Sequence, residues 1–162
     1  MRFEELQFLA DHDALTRLPN RRAFVRQLDV EATRSVRCGH TFALVLCDLD
    51  GFKLLNDQEG HLVGDQQLVR FAGHLTKSVR RTDHAYRIGG DEFALLLIPA
   101  TAAEAKLVIE RIRTGLIVDG VVSASFGVAV YAQQATANDL FRLADEAMYS
   151  AKRSGGCVAV AA

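Results

Sequence analysis

The sequence predicts a single α/β domain in which helices surround a sheet, and three features carry that prediction. Apolar residues recur at helical spacing in several segments, as in Ala105, Val108, Ile109 and Ile112. A continuous apolar run from Thr41 to Cys47, bounded by Gly39 and Asp48, has the composition of a central buried strand. Two further strand-like runs between His84 and Ile98 flank the pair Gly89-Gly90, the layout of a hairpin.

Composition bounds the rest. The 162 residues, 49% of them hydrophobic, suffice for one core of ordinary size. A formal net charge of −1 offers no basic field for duplex nucleic acid, so no nucleic-acid polymer is expected as a partner, and an anionic ligand has to be held by local arrangement. Cys38, Cys47 and Cys157 are odd in number and form no C-x-x-C pair, which speaks against a disulfide framework or a zinc site and for a reducing, cytoplasmic setting. No apolar run approaches the roughly 20 residues of a membrane span, and the start lacks a signal-peptide layout, so this segment is expected to make no direct membrane contact.

Taken in order, Phe3, Leu6 and Ala10 mark an amphipathic helix, read as the end of a stalk over residues 1–12, with one domain over residues 13–162. Pro19 breaks it, and Asn20 caps a second helix running through Ala23, Phe24, Leu28 and Ala32 to about Gly39. After the first strand, Gly51-Phe52-Lys53 turns into a short helix. The polar stretch Asn56-Asp57-x-x-Gly60-His61-x-x-Gly64-Asp65 is expected to be a loop leading into a helix from about Asp65 to Ser78. Beyond the hairpin, Pro99 ends the strand, residues 102–116 form a helix, and Val121–Tyr131 returns to strand. Leu140–Ser154 is a helix with Leu143, Ala144, Ala147 and Met148 inward, stopped by Gly155-Gly156, and Cys157–Ala161 adds a last strand.

Acidic residues gather at two places. Gly89 and Gly90 permit the positive φ angles of a tight turn and leave no side chain between the backbone and a ligand, and Asp91 and Glu92 follow at once. Adjacent carboxylates beside bare backbone suit a hard cation and the phosphates it carries; a plain turn with solvated acids fits the same residues. Asp48-Leu49-Asp50 closes the buried strand, where open α/β sheets bind ligands. Asp50 serves equally well as a cap for the following helix, whereas Asp48 ends an otherwise apolar run. The Phe52-Lys53 backbone has N–H groups free to meet an anion. Asn56 and Asp65 either cap turns or recognise a base; an acid accepting from N1–H and the exocyclic amine suits guanine and not adenine. Arg80 and Asp83, three apart, read as a surface pair, and His61 as structural.

Five motifs in this order resemble the GGDEF family of diguanylate cyclases. They are Asp13-x-Leu-Thr-x-Leu-Pro-Asn-Arg-Arg22, Asp48-x-Asp-x-Phe-Lys53, Asn56-Asp57-x-x-Gly-His61-x-x-Gly-Asp65, Arg87-x-Gly-Gly-Asp-Glu-Phe93 and Ala144-Asp-x-Ala-Met-Tyr149-x-Ala-Lys152. The resemblance implies an α/β (α+β) fold with a mixed, largely antiparallel sheet surrounded by helices, similar to the nucleotidyl cyclase and polymerase palm. It implies condensation of two GTP into cyclic di-GMP with release of pyrophosphate, dependent on Mg2+ or Mn2+. It makes Asp48, the Leu49 carbonyl and Glu92 metal ligands, with Asp91 in the metal site or deprotonating the attacking 3′-hydroxyl. Asn56 and Asp65 match guanine contacts, and the Phe52-Lys53 backbone, Gly89, Gly90 and Lys152 line the nucleotide phosphates. Arg80-x-x-Asp83 stands where the family keeps an inhibitory product site. Because one domain binds one GTP, the resemblance also implies a homodimer with apposed sites.

Two departures stand out. Arg17 replaces a glycine frequent in the first motif, which is expected to alter a turn. After Lys152 the family usually has Gly-Arg-Asn, whereas this chain has Gly155-Gly156-Cys157, so a phosphate-binding arginine is missing and Arg153 is its candidate substitute. A GGDEF module that binds GTP or cyclic di-GMP without turnover is the alternative function.

Overall fold

The structure, a computed structural model, describes residues 2–133, 135–155 and 158–161. Its elements run α1 (Phe3–Asp11), α2 (Arg21–Cys38), β1 (Ala43–Leu49), α3 (Phe52–Glu59), α4 (His61–Ser78), β2 (His84–Arg87), β3 (Glu92–Leu97), α5 (Ala102–Val118), β4 (Ala124–Val130), α6 (Ala137–Arg153) and β5 (Val158–Val160). The five strands form one sheet in the order β2-β3-β1-β4-β5, antiparallel except for the parallel β4–β5 pair. The run that reads as a central strand is central: β1 lies between β3 and β4 and is buried along nearly its whole length.

Alternation along β1 sends side chains to two cores. Val45, Cys47 and Leu49 pack with Leu68, Phe71 and Leu75 of α4 and with Ile109 and Ile112 of α5. Leu44 and Leu46 face the other way, onto Phe24 and Leu28 of α2 and Ala144 and Met148 of α6. Gly127 lets α6 lie on β4, because a Cβ there would stand 2.2 Å from the Ala144 carbonyl and the Met148 nitrogen. Asn20 caps α2 by accepting from the Ala23 N–H, and left-handed Gly39 ends it. α1 buries none of its residues; it is tied on through Asp11, which pairs with Arg26 at 2.9 Å.

The structure corrects two expectations. The stretch 56–65 is not a loop: α3 and α4 meet at the single residue Gly60, whose φ of 87° turns the chain, and α4 starts at His61, a turn before Asp65. Gly89 and Gly90 do not take positive φ angles. Gly89 instead lies against Glu92, whose carboxylate end would have to shift for a Cβ 2.6 Å from its Oε2, while a Cβ on Gly90 would meet nothing within 4 Å. The turn that departs from its family pattern holds Arg17 at φ 63°, a left-handed conformation that glycine would adopt without penalty. The last strand is present over Val158–Val160, and the Gly156 and Cys157 parts of that reading lie outside the described residues. Among the described residues no helix is long and apolar enough to cross a membrane.

Candidate active site

Register brings the two acidic stretches together. Asp48 on β1 stands opposite Glu92 on β3 and Ser125 on β4. Directly opposed residues share a face, so Asp48 and Glu92 belong to the α2/α6 side at one end of the sheet. Asp91 sits in the bend just before β3, where its carbonyl accepts from the Leu49 N–H at 3.1 Å. Lys152, near the end of α6, reaches Asp48 Oδ2 at 3.1 Å. The other oxygen, Asp48 Oδ1, is buried and has no hydrogen-bond partner. Burial first, and the negative charge of Asp91 second, raise the Asp48 carboxyl to about 6 against the pull of Lys152. Asp91 therefore faces Asp48, whereas the Glu92 carboxylate folds back beneath Gly89.

A buried carboxylate oxygen without a donor, next to a second carboxylate, is suited to bind a cation. The donors are all hard oxygens, which fits Mg2+ or Mn2+ and not a thiophilic metal. Among the described residues no three His, Cys, Asp or Glu side chains converge on one point, so such an ion needs main-chain or substrate oxygens as well.

The bend is held from behind by residues to which sequence reasoning gave no role. Arg87 Nη1 donates to both Asp13 oxygens at 3.1 and 3.0 Å, Nε to the Gly89 and Gly90 carbonyls at 3.2 Å, and Nη2 to Gly90 at 2.7 Å. Asp13 also accepts from the Thr16 N–H and hydroxyl at 2.7 and 2.8 Å. Burial pushes the Asp13 carboxyl up, but Thr16 and Arg87 outweigh it and hold it below the usual carboxylate range. Both residues lie in quoted motifs, yet nothing in the linear sequence links charges 74 positions apart. The Arg87 N–H bond to the Pro19 carbonyl, 3.0 Å, is what docks the 13–19 turn on β2.

The remaining predicted residues surround this corner. Gly51, left-handed at φ 65°, starts α3, whose first residues are Phe52, partly buried against the core, and exposed Lys53. Asn56 Oδ1 is buried and unpartnered against Gly64, where a Cβ would lie 1.9 Å from it. Asp65, the next residue on α4, is exposed. Asp50 is not a helix cap: it accepts from the Ser123 and Ser125 hydroxyls at 2.9 and 2.6 Å, tying the end of β1 to β4. Arg153 lies over the Tyr149 ring, 5.8 Å from its centroid.

Arg80 and Asp83 are not brought to the acids. They precede His84 at the far end of the hairpin from the bend. Nor are they a simple surface pair, because the Asp83 side chain is fully buried. Its Oδ2 accepts from the Arg80 N–H at 2.9 Å and Nε at 3.3 Å, and its Oδ1 from the Ile98 N–H at 2.9 Å. Arg80 Nη2 donates to the Pro99 carbonyl at 2.9 Å, yet its side chain stays 53% exposed.

Comparison with known proteins identifies the family and the fold. The family described as "Diguanylate cyclase, GGDEF domain" matches residues 10–157. The chain is similar to diguanylate cyclase DgcP of Pseudomonas aeruginosa, 38% identical over 152 residues that make up 88% of this chain and 22% of that protein. It is also similar to diguanylate cyclase DgcS of Shewanella oneidensis, 37% identical over 160 residues, 96% of this chain and 54% of that one. It thus spans about a fifth to a half of the length of these curated relatives. Among solved structures, the coiled coil and GGDEF domain of DgcB from Caulobacter crescentus, in complex with c-di-GMP, superposes with a TM-score of 0.93 at 29% identity, covering 98% of this chain and 89% of that one.

Proposed function

The chain belongs to the GGDEF family of diguanylate cyclases, and from that premise we propose that it condenses two GTP into cyclic di-GMP and two pyrophosphates. The observation that carries the reading is Asp48, buried with one oxygen unpartnered, facing Asp91 and reached by Lys152. In each of two steps the 3′-oxygen of one GTP forms a bond to the α-phosphorus of the other, the bond from that phosphorus to pyrophosphate breaks, and the 3′-oxygen gives up its proton. Phosphoryl transfer of this kind asks the protein chiefly for positioning and charge stabilisation.

Asp48, the Leu49 carbonyl and Asp91 would hold the Mg2+ or Mn2+, and Glu92 would join them once its carboxylate leaves the space beneath Gly89. When bound, the ion neutralises charge that builds on the phosphates during displacement. Asp91, the carboxylate nearer Asp48, is a metal ligand or accepts the 3′-hydroxyl proton. Bare Gly90 lets the phosphates approach the bend, and Gly89 leaves the space in which Glu92 folds. The Phe52 and Lys53 amides and the Lys152 ammonium bind the triphosphate. Asn56 and Asp65 orient guanine; the unpartnered Asn56 oxygen is available as an acceptor for a base N–H.

Because one domain supplies one nucleotide, two copies act as a homodimer across a two-fold axis. Residues 1–12 supply the pairing stalk, consistent with the exposed apolar side chains Phe3, Leu6 and Leu9. Cyclic di-GMP inhibits through Arg80 and Asp83. A receptor that binds GTP or cyclic di-GMP without turnover is the second reading, favoured by Gly156 standing where the family carries its phosphate-binding arginine. Incubation with GTP and Mg2+, with chromatographic detection of cyclic di-GMP and Asp48→Ala as control, decides between them. Product in the wild type alone supports the cyclase; nucleotide binding without product supports the receptor.

A further inference from the structure

The register that sets Asp48 opposite Ser125 also sets Asp50, just past the end of β1, opposite Ser123, so the four oxygen-bearing side chains share one face of the sheet. Hydrogen bonding across this square is lopsided. The Ser123 hydroxyl donates straight across to Asp50 Oδ2 at 2.9 Å, whereas the fully buried Ser125 hydroxyl passes over its own opposite number, Asp48, and donates diagonally to Asp50 Oδ1 at 2.6 Å. A hydroxyl has one proton to give. Asp50 therefore takes both, and Asp48 Oδ1 stays buried with no donor, although the Cβ atoms of directly opposed residues stand only about 4.5–5.5 Å apart. Buried carboxylate oxygens ordinarily have a partner, and here a neighbour able to supply one is held elsewhere.

We infer that Asp50 is a positioning residue for the metal site: by taking the Ser125 proton it keeps Asp48 free of a protein donor, so that the unpartnered oxygen is left for the divalent ion. Resting on the assignment of Asp48 as a metal ligand, this role adds how the ligand is kept ready. A Ser125 proton turned onto Asp48 would form a charge-assisted bond and compete with the ion for the same oxygen. An ionised carboxylate suits the task because it only accepts, and each of its two oxygens is matched to one serine. Lys152 does not fill the gap, since it reaches the other Asp48 oxygen. The side chain of Asp50 is not needed to dock the end of β1, because its N–H donates to the Ser123 carbonyl at 2.8 Å whatever the side chain is.

The test is Mn2+ binding to the full chain without nucleotide, followed by loss of the free-ion electron paramagnetic resonance signal. Asp50→Ala releases the Ser125 hydroxyl toward Asp48 and should weaken Mn2+ binding by about tenfold or more. It also removes a negative charge, so the deciding comparison is with Asp50→Ala/Ser125→Ala, which has the same charge and no hydroxyl. That double variant should bind at least about fivefold more tightly than Asp50→Ala. Ser125→Ala alone should bind like wild type. A double variant no tighter than Asp50→Ala overturns the inference and leaves Asp50 as a strand tie only, and so does wild-type affinity in Asp50→Ala. A wild type that binds no Mn2+, or an Asp48→Ala variant that binds as well as wild type, overturns the metal reading and this inference with it. If circular dichroism shows Asp50→Ala unfolded, Ser125→Ala decides: binding like wild type supports the inference, and a loss of about tenfold overturns it.

Discussion

Replacing Arg87 separates stability from positioning more cleanly than any other change at the bend. Its guanidinium spans Asp13 and the carbonyls of Gly89 and Gly90, the residues just ahead of Asp91. In Arg87→Ala, Asp13 keeps both bonds from Thr16, and water reaches the exposed Gly90 carbonyl. The stability lost is then that of one partly buried charge-assisted pair, about 1.5–3 kcal/mol. For a chain of this size that lowers Tm by roughly 3–12 °C. The catalytic loss is of similar size in free energy, about 2.7 kcal/mol, because a bend displaced by about 1 Å costs on the order of 100-fold in rate. Arg87→Lys keeps the charge but cannot bridge a carboxylate and two carbonyls at once, so it is expected to fall close to Arg87→Ala in kcat. Thermal unfolding by circular dichroism and cyclic di-GMP formation at saturating GTP and Mg2+ measure the two effects. Wild-type Tm and kcat in Arg87→Lys would refute the clamp.

Four further outcomes are expected. Asp13 has a folded pKa below its ordinary 3.8, so its contribution is fully present above that value and is lost as pH falls through the lower folded one. The stability gap between wild type and Asp13→Asn should therefore narrow in urea titrations taken below about pH 4, and a gap that widens there contradicts the assignment. Arg17→Gly relieves a left-handed arginine at the cost of its contact with the Phe8 ring, 5.1 Å away, and should raise stability by about 0.5–1 kcal/mol, read from the urea midpoint. Arg80→Ala should remove product inhibition while Asp83→Ala also lowers Tm, since only Asp83 bonds to Ile98; equal inhibition curves for Arg80→Ala and wild type count against the site. Saturating Mg2+ should raise the Tm of wild type and not of Asp48→Asn, measured without nucleotide.

Several elements were legible because local rules decide them. The apolar run 41–47 could only be buried, and Asn20 and Gly39 bracket α2 as a cap and a left-handed stop. The α3–α4 junction was not legible. Amphipathic helices expose polar residues, so 56–65 looks like a loop, and Gly60 and Gly64 look like breakers. One of them is a hinge, and the other makes room for Asn56. The Gly89-Gly90 pair misled in a similar way: a turn rich in glycine suggests unusual φ angles, but neither residue has one, and what lies against Gly89 is the Glu92 side chain. Asp50 looked like a cap because caps are local, whereas its partners, Ser123 and Ser125, lie on another strand.

By itself the sequence determined the order of helices and strands, the family-like motifs and which residues carry acid, since those depend on side-chain type and on periodicity along a short window. Tertiary structure alone decided that Asp91 rather than Glu92 faces Asp48, that Arg87 grips Asp13, and that Ser125 bonds Asp50 rather than Asp48. The first and third meetings depend on strand register, and the second on a turn docked from 74 residues away. Side-chain type along a segment carries no information about which distant face will be pressed against it.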